Sequence, residues 1–549
     1  MGVVSNFIKG IFFIAILLIF FQCKNKQNSE LEGINSALKE GLPQSGWYKF
    51  PLKLEIDSGS MFKAQKNVNK KEYYSNAVKY IDCGKSVVLK ASNNQGLLSN
   101  NQLIMQTKLV DYGNVIKWLP PKTKELKSGI PLLFHNYDGK ERDSRIFFDQ
   151  SKKIDDNLLV VSLIVDPKDL FDYDSGIYVQ GVFGDENNSK KGNYSQRGKE
   201  WQKQVKVHLF ENNGDLKLGI DAGLKIHGNF SRAQPQKSFT LMFKKRFQSH
   251  SFTSNLFGKT NKIYQLMLRT PFTSSMQGQS LIMDSYISQI AIDIGLDAMA
   301  SAPCNLYING EYWGVYHLRE KINQHYFKEK YNVSKKSIEI IEFDRENTTN
   351  YNACYGDSKS WLALIQYLDS CDLSNNAIYT EISNRIDVDN LIDYLIISTF
   401  FANKDWPSNN FKFWKSSELD NKWRFIIHDM DACFRKDNMF KYLLDKEAKK
   451  GNNTPQSTFL FKKFFSNNLF TAKFIKRYKE LKEDALLPAN LKDKLRAMSK
   501  NISPSIPFQI DRWHMPESEE LWQLRINKML EYLDNRGEEY EKHLVYIQK

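Results

Sequence analysis

Histidine and cysteine are scarce in this chain, nine and six among 549 residues, and no C-x-x-C occurs. That argues against a structural zinc site, which needs closely spaced Cys and His ligands. There is no Arg-rich block, no zinc-finger spacing and no aromatic signature of an RNA-binding sheet, so no nucleic-acid partner is expected. No apolar run reaches the ~20 residues of a membrane-spanning helix.

The composition that remains is that of a folded protein. Hydrophobic residues make up 41% and charged residues 26% of the chain, which fits neither a disordered chain nor a membrane bundle. Aromatics reach 13%, with 36 Phe and 26 Tyr, enough for large apolar cores. At roughly 150 residues per domain, the length suggests three or four domains. Lys and Arg outnumber Asp and Glu, 77 to 63, and the excess is spread over the whole chain. It fits anionic partners such as phosphates or a membrane surface.

The first segment reads as an export signal. Lys9 precedes the apolar run Ile11–Phe21, eleven residues long, then Cys23 and the polar stretch Lys24–Ser29. Eleven residues suit a signal-peptide core and are too few to span a bilayer. An apolar core ending near a Cys resembles a bacterial lipoprotein signal, with Cys23 as the lipidated residue and the cell envelope as the location. Phe21-Gln22 stand where small residues are usual, and an ordinary signal peptide is the alternative. Residues 24–42 form a polar linker. Cys354 and Cys371 are candidates for a disulfide, which spacing alone does not decide.

Residues 43–115 read as short strands separated by polar turns, among them Trp47–Phe50, Leu52–Ile56 and Ser86–Ala91, and point to a small β-sandwich. The passage around Pro120-Pro121 reads as a linker. A second part, 157–440, opens on the buried-strand pattern Leu158–Val165 and mixes strands with helices. A third, 457–549, is helical. There Trp522, Ile526, Met529 and Leu533 recur at spacings of 4, 3 and 4, an apolar stripe that docks the helix on the main domain. The fold class is α+β.

Four motifs in the second part carry chemistry. In His227–Phe243 a turn feeds a strand on which Lys237 shares a face with Phe239, Leu241 and Phe243. A lysine opening an apolar face needs a carboxylate or a phosphate, unless it reaches water at the strand mouth. In Asn305–Glu320, Asn309-Gly310 marks a hairpin, and Glu320 shares a face with Tyr316 and Leu318. Lys237 and Glu320 are therefore candidates for one ion pair. Asp405 precedes Asn410 by five residues, the separation between the catalytic Asp and the metal-binding Asn of protein-kinase loops. Finally Trp423–Asp431 reads as a strand ending in D-x-D, with Asp429 and Asp431 on one face as hard oxygen ligands for Mg²⁺ or Mn²⁺. His428 falls on the other face, as a packing residue.

The pieces GIYVQGVF, IHGNFSRAQPQKSF, LYINGEYWGVYHLREKI, NKDWPSNNFKFW and WRFIIHDMDACF resemble the CotH kinase family, the spore-coat-protein-H-like atypical kinases. The helical end, with YLDNRGEEYEKHL, is similar to that family's tail, and residues 43–115 resemble a degraded chitobiase C-terminal module. The resemblance implies a divergent protein-kinase-like fold and phosphate transfer from ATP to Ser or Thr of a protein, with Mg or Mn. It implies Lys237 as the phosphate lysine, Asp405 as the catalytic base, and Asn410 and Asp429 as metal ligands. Asp431 would join the metal ligands, and Glu320 and Arg232 the nucleotide site. The chain departs from the family where Arg269 is followed by Thr270-Pro271, with Met283-Asp284 further on, and where Ala432-Cys433-Phe434-Arg435 follow the D-x-D. Two functions stay open: an exported, lipid-anchored kinase, or a surface binding protein using the fold as a scaffold.

Overall fold

The computed structural model describes residues 45–48, strands between residues 52 and 149, and residues 150–548 apart from 186, 272–276, 345, 348 and 445–453. The signal, Cys23, the linker 24–42, Cys83 and the passage at Pro120-Pro121 lie outside the described residues.

The N-terminal strands form one seven-stranded sheet, with Leu52–Glu55 and Val78–Ile81 paired separately. The sheet continues past residue 115, because Gly129–His135 and Glu141–Asp149 extend it and Gly46–Tyr48 pairs parallel with its last strand. Trp47 stacks on Phe148 at 4.6 Å between ring centroids, and both pack with Tyr307 and Tyr312 of the next unit.

That unit is a closed seven-stranded barrel. Its strands run in the order Leu159–Ile164, Lys203–Phe210, Leu216–Ile226, Phe239–Met242, Gln265–Arg269, Glu311–Glu320 and Ser301–Ile308, and the last pairs parallel with the first. Ala222, Leu224, Ile226, Phe239, Leu241, Leu266, Leu268 and Leu318 fill its interior. Side chains alternate along a strand, so the residues between these face outward. The hairpin at Asn309-Gly310 has positive φ at both residues, 50° and 79°, the conformation its sequence favours.

A five-stranded sheet follows, in the order Asp297–Ala298, Arg424–Ile427, Lys412–Ser416, Ile338–Phe343 and Tyr351–Tyr355. The helix Val388–Phe400 packs behind it and is buried along most of its length. Asp387 caps its first turn, accepting from the Asn390 amide at 3.0 Å. Its last carbonyls are held by the C-terminal helix Glu519–Leu544. Arg536 donates to the Phe400 carbonyl at 2.6 Å and the Thr399 carbonyl at 2.8 Å, and Tyr532 to Phe400 at 2.7 Å. Trp522, Ile526, Met529 and Leu533 are buried in the same core as Tyr286, Ile397 and Phe401. The C-terminal helices thus complete the core that positions the loop after Phe400.

A second contact ties those helices to the barrel. Arg512, fully buried, donates to Glu311 at 2.6 Å with its guanidinium 4.2 Å from the Trp313 ring centroid. Among the described residues Cys304, Cys354, Cys371 and Cys433 are free thiols, so Cys354 and Cys371 are not joined.

Candidate active site

One wall of a cleft of about 1230 Å³ is the outer face of the barrel; the other is the loop 403–412 with residues 426–435. The loop leaves the helix Val388–Phe400 through Ala402, whose φ is 50°. Asn403, buried, accepts from the Asp405 amide at 3.1 Å and donates to the Asp429 carbonyl at 3.4 Å. Trp406 anchors the loop in the core, donating to the Tyr394 hydroxyl at 2.6 Å. Asp405 is left half-buried on the cleft. Asn410 donates its amide to the same Asp429 carbonyl at 3.3 Å, which leaves its side-chain oxygen as an acceptor.

The D-x-D is built differently from the expected strand end. The strand stops at Ile427, and Asp429 takes a left-handed φ of 58°, as does Asn410. Asp and Asn tolerate that region better than other side chains. Strand alternation therefore does not govern residues 428–431. His428, expected on the far face, lines the cleft with Asp429 and Asp431. Both carboxylates nevertheless meet at one cation: Arg269 bonds to Asp429, and to Asp431 at 3.1 Å. Arg269 also lies 3.5 Å from Asp284, which bonds to Arg319 and accepts from the Met430 amide at 2.8 Å. Arg319 in turn donates to Ser288 at 2.9 Å.

This network of two guanidiniums and three carboxylates sets the ionisation of its members. Burial pushes Asp284 up, but Arg319 and Arg269 outweigh it and hold the carboxyl well below the usual range. For Asp429, burial is likewise overcome by Arg269. Asp431 is the exception: burial, with the Asp429 charge beside it, pushes it up to about 8.

Lys237 and Glu320 do not form a pair. The Lys237 ammonium donates to the carbonyls of Arg232 at 2.6 Å and Gln234 at 2.8 Å and sits 4.0 Å from the Tyr194 ring centroid. Phe239, Leu268 and Leu318 are in register, as are Leu241, Leu266 and Glu320. Lys237 lies beyond Phe239 on one side and Glu320 on the other. Both face the barrel's interior, and neither lines the cleft. Arg232 does line it, but its guanidinium is engaged by the carbonyls of Gly228, Tyr194, Gln196 and Ile226 at 2.6 to 3.3 Å. It pins the turn that the glycine-containing motif makes.

The cleft also holds charged residues that the motifs passed over. Lys225 and Arg269 have the opposite strand parity to the interior residues, and Lys321 directly follows Glu320. Lys412 pairs with Glu342 at 2.9 Å. The signal for Lys225 lay in the alternation itself, two residues before His227. Arg269 and Asp284 stand in the segment where the chain departs from the family pattern.

The donor chemistry fits a hard divalent cation. Asp429, Asp431 and the Asn410 oxygen are neutral or anionic oxygens on one stretch of the cleft, where the Arg269 guanidinium holds both carboxylates. Among the described residues no three His, Cys, Asp or Glu side chains form a metal cage. Mg²⁺ bound with substrate phosphates needs only one or two protein carboxylates.

The family described as CotH kinase protein matches residues 224–540, more than half of the chain. The chain belongs to this family. The match takes in the C-terminal helices as well as the cleft. Among solved structures, the chain is similar to the Helicobacter pylori proinflammatory kinase CtkA at 13% identity. That similarity covers 53% of this chain and 92% of that one, with a TM-score of 0.21. The comparison with curated proteins gave no match.

Proposed function

We propose that this protein is an exported, lipid-anchored kinase that transfers the γ-phosphate of ATP to Ser or Thr of a protein substrate. The observation that carries this is the convergence of Asp405, Asn410, Asp429 and Asp431 on one cleft, with Asn403 and Asn410 both tied to the Asp429 carbonyl. Asp405 orients the substrate hydroxyl and accepts its proton as the oxygen bonds to the γ-phosphorus. The bond from that phosphorus to the bridging oxygen breaks, and ADP leaves. Asp429, Asp431 and the Asn410 oxygen would hold a divalent cation, which when bound neutralises charge on the transferred group. Catalysis is then positioning and electrostatics, with no covalent enzyme intermediate.

The test compares wild type, Asp405→Ala and Asp429→Ala by autophosphorylation with labelled ATP and by nucleotide titration in Mg²⁺ and in Mn²⁺. Losing the base lowers transfer by ~10²–10⁴-fold while nucleotide still binds. Losing Asp429 weakens metal-dependent binding itself. One observation favours a non-catalytic scaffold, the engagement of both D-x-D carboxylates by Arg269. Equal binding by all three proteins, with no label incorporated, establishes that second reading instead.

Anchoring rests on Cys23 and is tested separately. Cys23→Ala should release the protein from the membrane fraction, and the wild-type N-terminal peptide should carry lipid mass. Membrane association that survives the substitution, without lipid, ends the lipoprotein reading.

A further inference from the structure

We propose that Lys225 and Lys321 together form the receptor for a polyphosphate chain, the role that the family resemblance implies for Lys237. The inference rests on the kinase reading in that the chain it binds is taken to be that of a nucleoside triphosphate.

Both lysines stand on the cleft wall formed by the barrel's outer face. Among the described residues neither ammonium has a hydrogen-bond acceptor or a carboxylate partner. Burial lowers the pKa of Lys225, and the charges that act on it are all positive: Arg232, Lys244 and Arg197. Lys321 is pushed down to about 8 by burial, with Lys225, Lys412 and Lys244 adding to it and only the Cys354 thiol opposing. Lys412, in the same cleft, differs in having Glu342 as its partner. Half-buried cations that repel one another weaken a fold unless an anion meets them.

The cleft is thus bipolar, with unpaired ammoniums on the barrel wall and Asp405, Asp429 and Asp431 on the loop wall. A ligand suited to it carries several negative charges for the first and a metal-binding end for the second. A polyphosphate meets both demands, and a single carboxylate or phosphate does not. Met267, Ile322 and Phe343 add apolar surface to the same cleft, which suits a base. Lys237 is excluded by its place inside the barrel, its ammonium already bound to two carbonyls.

The experiment titrates the full chain and its Lys225→Gln and Lys321→Gln variants with ATP, ADP, adenosine and inorganic tripolyphosphate, and records each melting temperature. Each substitution should weaken ATP by about tenfold or more, ADP less, and adenosine not at all, since a charge-assisted contact to phosphate is lost. Melting temperatures should hold or rise, because unpaired cations are being removed. Wild-type binding of ATP or tripolyphosphate that both variants match within about twofold overturns the proposal. So does an adenosine loss equal to the ATP loss, which marks a structural effect. Tripolyphosphate binding that depends on the lysines, without ATP binding, keeps the lysine receptor and removes the kinase reading. Binding of neither probe by wild type removes both. Should the Gln variants fail to fold, Lys225→Arg and Lys321→Arg take their place. Retained tripolyphosphate affinity in these supports the receptor, and its loss in a folded Arg variant overturns it. Failure of both sets to fold also overturns it, because the lysines then serve the fold.

Discussion

Lys237 and Glu320 face the same barrel interior from opposite ends, four strand residues apart along its length, roughly 13 Å at the usual rise. The Tyr316 hydroxyl, at Lys237's end, donates to the Lys237 carbonyl at 2.9 Å. Glu320 lies in register with Leu266 at the other end. Among the described residues the two share no hydrogen-bond partner. Lys237→Met should therefore lower stability by about 1–3 kcal/mol, because the Arg232 and Gln234 carbonyls lose their donor. Nucleotide affinity should stay nearly unchanged. Denaturant melts of Lys237→Met, Glu320→Gln and the double variant should be additive within about 0.5 kcal/mol. A strong coupling between the two would place them in contact and contradict the register.

Glu320 gives a pH prediction. Burial raises its carboxyl from 4.5 to about 7, with Lys330 opposing. A carboxyl whose pKa rises on folding holds its proton more tightly in the native state. Its contribution is fully present below about 4.5 and is lost as pH rises through about 7. Glu320→Gln stays neutral, so it should match wild type at pH 4 and exceed it by up to about 3 kcal/mol at pH 8. Equal stability of the two proteins at both pH values would show that the carboxyl is hydrated in both states.

Arg269→Gln removes the cation shared by Asp284, Asp429 and Asp431. The loss should be about 3–5 kcal/mol, as for other buried pairs broken on one side. Mg²⁺ or Mn²⁺ should raise the melting temperature of this variant more than that of wild type, since a cation then meets carboxylates with no guanidinium between them. An identical metal response in both proteins would mean that Arg269 does not compete for that position.

The Arg512–Glu311 pair predicts a cycle with a different outcome. Arg512→Met alone leaves a buried carboxylate without its partner and should cost about 3–5 kcal/mol. Glu311→Leu combined with Arg512→Met should recover most of that loss, because replacing both partners removes the stranded charge. Thermal melts of the two single variants and the double variant give the coupling. A double variant as unstable as the sum of the singles would show that the pair does not act as a unit.

What the sequence determined by itself was local. Period-2 alternation placed Lys237 with Phe239 and Leu241, and Glu320 with Leu318, and the structure keeps both pairs on one face. The Asn309-Gly310 turn was legible because the preference for positive φ is written in those two residues themselves. Alternation does not say which face turns to a cleft. Closing the barrel decided that, sending Lys237 and Glu320 inward and leaving Lys225 and Arg269 on the working face. The left-handed turn at Asp429 likewise ended the strand's parity, so the approach of both D-x-D carboxylates to Arg269 depends on packing across 160 and 162 residues of chain. Contacts of that range need the register of several strands and the docking of the two walls, and no local pattern specifies them.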